Sequence, residues 1–277
     1  RINTLAFKDS RGFEMKNMST NFSYTLTNMI FSSLDIETPN SVLKGYLQFV
    51  YNRADFMDFE NKVNIVANFK ESRVLLDELN IFYNEFGKNQ LASFNVDLSG
   101  TLNDLNVGSL ELSTSTNTQM YGDINFKNLF TKEPDTFEMD GHFTNLSSTY
   151  KDLKALLPNV LGSVIPSSFD NLGKFTIAGH TKVTTSTVMA NIQIDTNLGF
   201  ADSKLEISKI NDIDNALYKG NVVFENFDFG TFLDDPMIGV ASLNMDVKGK
   251  GFIPETINTQ VVGNIFELQY NNYNYTS

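Results

Sequence analysis

Along most of the chain apolar residues return at every second position, the period of a strand with one oily face and one wet face. Val63, Ile65, Ala67 and Phe69 alternate with Asn64, Val66 and Asn68; Phe94, Val96 and Leu98 alternate with Asn95 and Asp97; Leu110 and Leu112 flank Glu111. Phe175 and Ile177 follow, then Val188, Ala190, Ile192 and Ile194 set against Met189, Asn191, Gln193 and Asp195. Leu205 and Ile207, Val222 and Phe224, Leu243, Met245 and Val247, and Val261, Gly263 and Ile265 complete the series. Buried parallel strands read as continuous apolar runs, so this alternation predicts antiparallel strands and a mainly β fold.

Turns are expected at Ser99-Gly100, Ala178-Gly179 and Lys248-Gly249, where glycine takes up positive φ or a bulge most easily. A further break is expected around Asn103 to Asn106. The stretches FNVDLSG, KFTIAGH and LNMDVKG share one layout, alternating apolar residues running into a glycine, and read as a loose internal repeat of an extended array. Three helical insertions interrupt the strands, at about residues 77–87, 148–165 and 229–235. In the first, Asp77 suits the N-cap, Leu79, Phe82, Tyr83 and Phe86 form a stripe, and Gly87 suits the C′ position. In the second, Ser148 or Thr149 caps a face made by Tyr150, Leu153, Leu156, Leu157, Val160 and Leu161, with Pro158 interrupting it. The third is a single turn starting at Asp228 and stopping before Pro236.

At 277 residues the chain is at the upper limit of one compact core, so two domains or one elongated body are both admissible. Hydrophobic content of 41% supports an ordered fold. The net charge of −12 repels phosphate backbones and anionic membrane faces, so nucleic acid is not expected as a partner. Without cysteine there are no disulfides, thiolate metal sites or cysteine nucleophiles. The chain starts at Arg1 with neither a signal-peptide pattern nor an apolar run near the roughly 20 residues that span a bilayer. It is expected to be an excerpt of a longer polypeptide whose anchor lies outside it.

Candidate chemistry is sparse. His142 and His180, each beside a glycine, have no nucleophile motif or metal-ligand spacing nearby. Asn211 to Asn215 (NDIDN) offers two carboxylates but lacks the glycine and distant glutamate of a calcium loop, and asparagine and aspartate are ordinary turn material. Asp234 and Asp235 read as a helix end, although a carboxylate pair can do acid–base work. Gly249 to Phe252 (GKGF) follows a strand but opens no helix, unlike a phosphate loop. Tyr270, Tyr273 and Tyr275 suit an edge strand or a sugar-stacking platform. No catalytic residues and no cofactor are expected.

Three long stretches carry a resemblance: Phe49 to Phe69 leading into DELNIFYNEFG, Asp152 to Gly179, and Asn211 to Phe252. With them the chain resembles the TamB-like translocation and assembly module proteins of the Bacteroidota, within the AsmA-like group. The resemblance implies the central β-rich body of a periplasmic protein that is anchored in the inner membrane and reaches the outer membrane. It further implies a single elongated segment over 1–277: an extended, twisted antiparallel sheet curled into an open hydrophobic groove, with two or three short helices. Its implied task is to conduct phospholipids between the membranes, or to assist outer-membrane protein assembly with a barrel partner of the TamA type.

The groove-lining role then falls on Val63, Ile65, Phe94, Val96, Leu98, Leu110, Leu112, Phe175, Ile177, Val188, Ala190, Ile192, Ile194, Leu205, Ile207, Val222, Phe224, Leu243, Met245, Val247, Val261 and Ile265, with phospholipid acyl chains as the ligand. At about 0.8 kcal/mol per buried CH₂, a chain of roughly 16 carbons gains on the order of 10 kcal/mol from apolar walls alone. Periodicity does not separate this groove from a sandwich, in which the oily face packs on a second sheet at ~10 Å. A structural or adhesive β-solenoid or sandwich with a filled core, and an enzyme acting on carbohydrate, are the other readings.

Overall fold

A computed structural model describes residues 1–81, 86–131, 136–156, 158, 167–252 and 255–276. The chain divides into two compact units, Arg1–Glu138 with Ala155–Asn159, and Met139–Lys154 with Val160–Ser277. Both are mainly β. In the first, a ribbon of β1 (Phe7–Lys8) and β2 (Glu14–Met15) precedes β3 (Asn17–Tyr24), β4 (Asn28–Glu37), β5 (Val42–Val50), β6 (Asn64–Leu75), β7 (Leu91–Thr101), β8 (Asp104–Thr114) and β9 (Gln119–Lys127). These last seven form an antiparallel meander in which sheet order equals chain order.

The second unit repeats the plan. Apart from the first residue of β10, it holds β10 (Glu138–Thr149), β11 (Lys174–Thr184), β12 (Thr187–Thr196), β13 (Gly199–Ser208), β14 (Leu217–Asp228), β15 (Ile238–Lys250), β16 (Asn258–Tyr270) and β17 (Tyr273–Thr276). Again each strand pairs with the next.

The helices are short: α1 (Phe59–Lys62) after a 3₁₀ turn at Arg53–Asp58, α2 (Leu76–Leu79), α3 (Tyr150–Leu156) and α4 (Phe229–Leu233), with further 3₁₀ turns at Ser167–Leu172 and Ile210–Asn215. Asp228 caps α4 as expected, accepting from the Thr231 N–H at 3.0 Å, and Thr149 Oγ1 accepts the Asp152 N–H at the start of α3 at 3.1 Å. The first insertion differs from expectation. Leu75 is the N-cap of α2, Asp77 lies in its first turn and accepts the Asn89 N–H at 2.6 Å, and Gly87 donates to the Leu156 carbonyl instead of closing a helix. Phe82, Tyr83, Leu157, Val160 and Leu161 lie outside the described residues.

The expected glycine turns are also corrected. Gly100, Gly179 and Gly249 all sit inside strands, opposite Leu105, Ile192 and Tyr218 respectively. At Gly179, with φ +131°, a Cβ would lie 2.3 Å from the Asn191 carbonyl oxygen, so the neighbouring backbone approaches closer than any side chain permits. The break in Val96–Thr114 is only Leu102-Asn103. There Asn103 is a buried hub. Its Nδ2 donates to Asn61 Oδ1 at 2.9 Å, its Oδ1 accepts the Phe130 N–H at 2.8 Å, and its backbone N–H donates to the Glu60 carbonyl.

Six strands carry an extra residue, β15 and β16 among them, and in four of the six it is left-handed. Register shifts in β4, β6, β8 and β14 coincide with Ser33, Glu71, Ser109 and Asn226, all left-handed at φ 51°, 49°, 49° and 48°. The extra residue loses its ladder partner, and at three sites a short polar side chain of the next strand replaces it. Asn95 Oδ1 accepts the Glu71 N–H at 2.7 Å, Asp123 Oδ1 the Ser109 N–H at 2.9 Å, and Ser242 Oγ the Asn226 N–H at 3.0 Å. Replacing Asp123 by Ala leaves the exposed Ser109 N–H to water and is expected to lower unfolding free energy by about 0.5–1.5 kcal/mol. Gln119→Ala on the same strand is expected to change it by less than about 0.5 kcal/mol, both read from urea midpoints.

Candidate functional site: one apolar sheet face in each unit

Residues directly opposite each other in an antiparallel ladder share a face, so the register fixes which side chains stand together. In the first unit, Met29, Phe49 and Ile65 form one row, Phe31, Leu47, Ala67, Leu98, Val107 and Ile124 a second, and Phe94 with Leu112 and Met120 a third. The bulges keep these rows on one side. On β6 the face passes from Ile65, Ala67 and Phe69 to Ser72 and Val74, and on β8 from Leu105 and Val107 to Leu110 and Leu112. Ile65, Phe94, Val96, Leu98, Leu110 and Leu112 are thus brought together. Val63 is not a strand residue but the C-cap of α1, and it is 0% exposed.

In the second unit every position expected to line a groove lies on one face. Ile177, Ile194, Ala201, Phe224, Leu243 and Ile265 form one row, and Ile192, Ser203, Val222, Met245 and Gly263 the next. Ala190, Leu205, Gly220, Val247 and Val261 form a third, followed by Val188 with Ile207. Phe175 completes the set two residues before Ile177.

Burial differs along this face. At one end Leu172, Phe175 and Phe227 are buried in a cluster with Leu153, Phe169, Phe224, Phe229 and Phe232. Phe227 stands 4.9 Å from Phe224, 4.9 Å from Phe229 and 5.6 Å from Phe232, ring centre to ring centre. The 3₁₀ turn at Ser167–Leu172 and α4 supply this cover, so Phe175, Ile177, Ile194 and Phe224 pack on the unit's own aromatic side chains instead of lining open space. Val188, Ala190, Ile192, Leu205, Ile207, Val222, Met245 and Val247 are only half-buried, and Val261 and Ile265 are 48% and 52% exposed. In the first unit Ile65, Val96 and Leu110 are buried, while Phe94, Leu98 and Leu112 are half-buried.

The opposite face of the second unit is polar. His180, Lys182, Met189, Lys204, Glu206 and Lys219 surround a shallow concavity of ≈ 710 Å³, where Lys219 Nζ pairs with Glu206 at 3.0 Å. His180 Nε2 lies 2.6 Å from Asp140 Oδ1. Asp234 and Asp235 line a different concavity of ≈ 660 Å³, beside α4. His180 and the aspartate pair therefore do not share a pocket. Asn215 Nδ2 donates to both Asp212 carboxylate oxygens, at 3.3 and 3.1 Å, closing NDIDN on itself as a turn.

No family model, curated protein or solved structure matches the chain. Among the described residues no helix is long and apolar enough to cross a membrane.

The cap of α4 ties the covered end to pH. The Thr231 hydroxyl, at 2.6 Å, and its N–H hold the Asp228 carboxyl below its ordinary value of 3.8. A carboxyl lowered in the folded state favours folding when ionised. That contribution is complete above about pH 5 and fades as pH falls through 3.8 and below. Asp228→Ala is expected to remove about 1 kcal/mol at pH 7, and Asp228→Asn, which keeps a cap acceptor, is expected to cost less and to flatten the acid limb of a stability–pH curve measured by urea unfolding.

Proposed function

We propose that the half-buried apolar face binds phospholipid acyl chains and lets them slide, as a segment of a periplasmic lipid-conducting or outer-membrane assembly protein. One observation carries the reading: fifteen expected lining positions of the second unit fall on one face by register, and ten of them, from Val188 to Ile265, are not sealed. A wall without a charge or a specific polar anchor holds hydrocarbon by area alone, which permits movement along it. The resemblance to TamB-like proteins supports the envelope location, an inner-membrane anchor outside this sequence and a barrel partner of the TamA type. No catalytic step and no cofactor enter this reading.

The aromatic cluster around Phe227 favours a second reading, in which the face is a filled structural core. The two separate in the native envelope. Photocrosslinkers at Leu112, Ile192 and Met245 are expected to capture phospholipid, and those at Glu111, Gln193 and Asp246, on the opposite face, are not. Equal capture at both sets defeats lipid binding by the face. Ile192→Arg, which sets a charge on the wall, is expected to reduce lipid capture at Met245 at least tenfold with strand content unchanged.

A further inference from the structure

We propose that one end of the first unit is a membrane-docking tip, which seats Leu26 and Met57 in the interface of a zwitterionic bilayer. Two apices meet there. The β3–β4 turn is closed by Thr25, whose Oγ1 accepts the Thr27 and Asn28 N–H groups at 3.3 and 2.9 Å, and this leaves Leu26 projecting, 76% exposed. The Tyr51–Val63 insertion is stapled to that turn. The Tyr51 hydroxyl donates to the Thr25 carbonyl at 3.2 Å, and the Tyr51 N–H donates to the Thr27 carbonyl at 3.0 Å. Phe56 packs on Tyr51 at 4.5 Å between ring centres, and the next residue, Met57, is 94% exposed. Tyr24 is also exposed at this end, an amphipathic ring of the kind found at membrane–water boundaries.

The occupant follows from shape and charge. Side chains this exposed stand clear of their own surface, so a protein partner needs two matching pockets, whereas a lipid interface needs none. The two acids flanking Met57 are held within the insertion: Asp55 accepts the Asn52 N–H at 2.5 Å, and Asp58 accepts from Asn61 at 2.6 Å and pairs with Lys62 at 3.7 Å, while Glu60 is exposed. A chain of net charge −12 is repelled by anionic lipid but not by a neutral headgroup. The tip also joins the apolar face. Phe56 lies 6.3 Å from Phe59, Phe59 5.7 Å from Phe49, Phe49 6.3 Å from Phe31 and Phe31 5.0 Å from Phe22, an unbroken line of rings onto the sheet. Docking stands on the tip alone; its purpose, passing an acyl chain from bilayer to sheet, rests on the lipid-binding reading.

The chain has no tryptophan, so single tryptophans report cleanly. With phosphatidylcholine vesicles, Met57→Trp and Leu26→Trp are expected to shift emission to the blue and to be quenched by brominated acyl chains, while Met189→Trp in the second unit does neither. The double variant Leu26→Asp, Met57→Asp is expected to lose at least tenfold in vesicle partitioning with an unchanged circular-dichroism spectrum. Unmoved emission at 57 and 26, or an equal shift at 189, overturns docking. So does a shift that follows protein concentration without vesicles, which assigns the tip to a second copy. Insertion without lipid capture at Ile192 retains docking and removes conduction; capture without insertion does the reverse.

Discussion

The structure depends on keeping apolar side chains on one face across strands that carry a residue too many. Side chains alternate strictly, so one uncompensated insertion would turn the rest of a strand's apolar set toward water. The bulges at Ser33, Glu71, Ser109 and Asn226 absorb the extra residue in a left-handed conformation. Asn95, Asp123 and Ser242 then supply the hydrogen bond that the ladder no longer provides at three of them. These bonds lie at the exposed surface and contribute on the order of 1 kcal/mol each, and they fix where the extra residue sits, so these side chains hold the register as well as the bond.

The same strict alternation gives the long rows of the second unit, five or six strands wide with hardly a polar residue. The same rows meet two environments. Near α4 they are closed by phenylalanines that interlock at about ring-contact distance, and this end behaves as a core. Toward Ala190, Leu205 and Val247 the rows are half-buried, and no charged side chain stands in them. An apolar surface of that kind gains free energy from any hydrocarbon that covers it, in proportion to area.

Much of this was legible in the sequence, because period-two alternation is a direct consequence of strand geometry. Val188 to Ile194 and Leu243 to Val247 land on the expected face for that reason. The glycine signals misled in one respect. Gly179 permits close strand approach in mid-strand and Gly100 does so at the second-last residue of β7, and the tight turns use Leu102-Asn103 and Asn197-Leu198 instead. The bulges were not legible, since serine and glutamate carry no cue for positive φ, asparagine is too common in this chain to mark one site, and the partners lie 14 to 24 residues away. The sealing of Phe175 and Phe224 was equally hidden, because it depends on where α4 docks and not on alternation. Asn103 is read as ordinary turn material until its four partners, Asn61, Phe130, Glu60 and Asn128, are seen around it.

Whether hydrocarbon occupies the unsealed rows is open to one direct measurement, a native mass spectrum of the 277-residue chain produced in the periplasm and purified gently. An acyl-binding face predicts peaks above the bare 31.1 kDa chain by the mass of one or more phospholipids, lost on activation and diminished by Ile192→Arg. A spectrum holding only the bare chain, under conditions that keep the fold intact, contradicts lipid binding and leaves the apolar face as a structural surface.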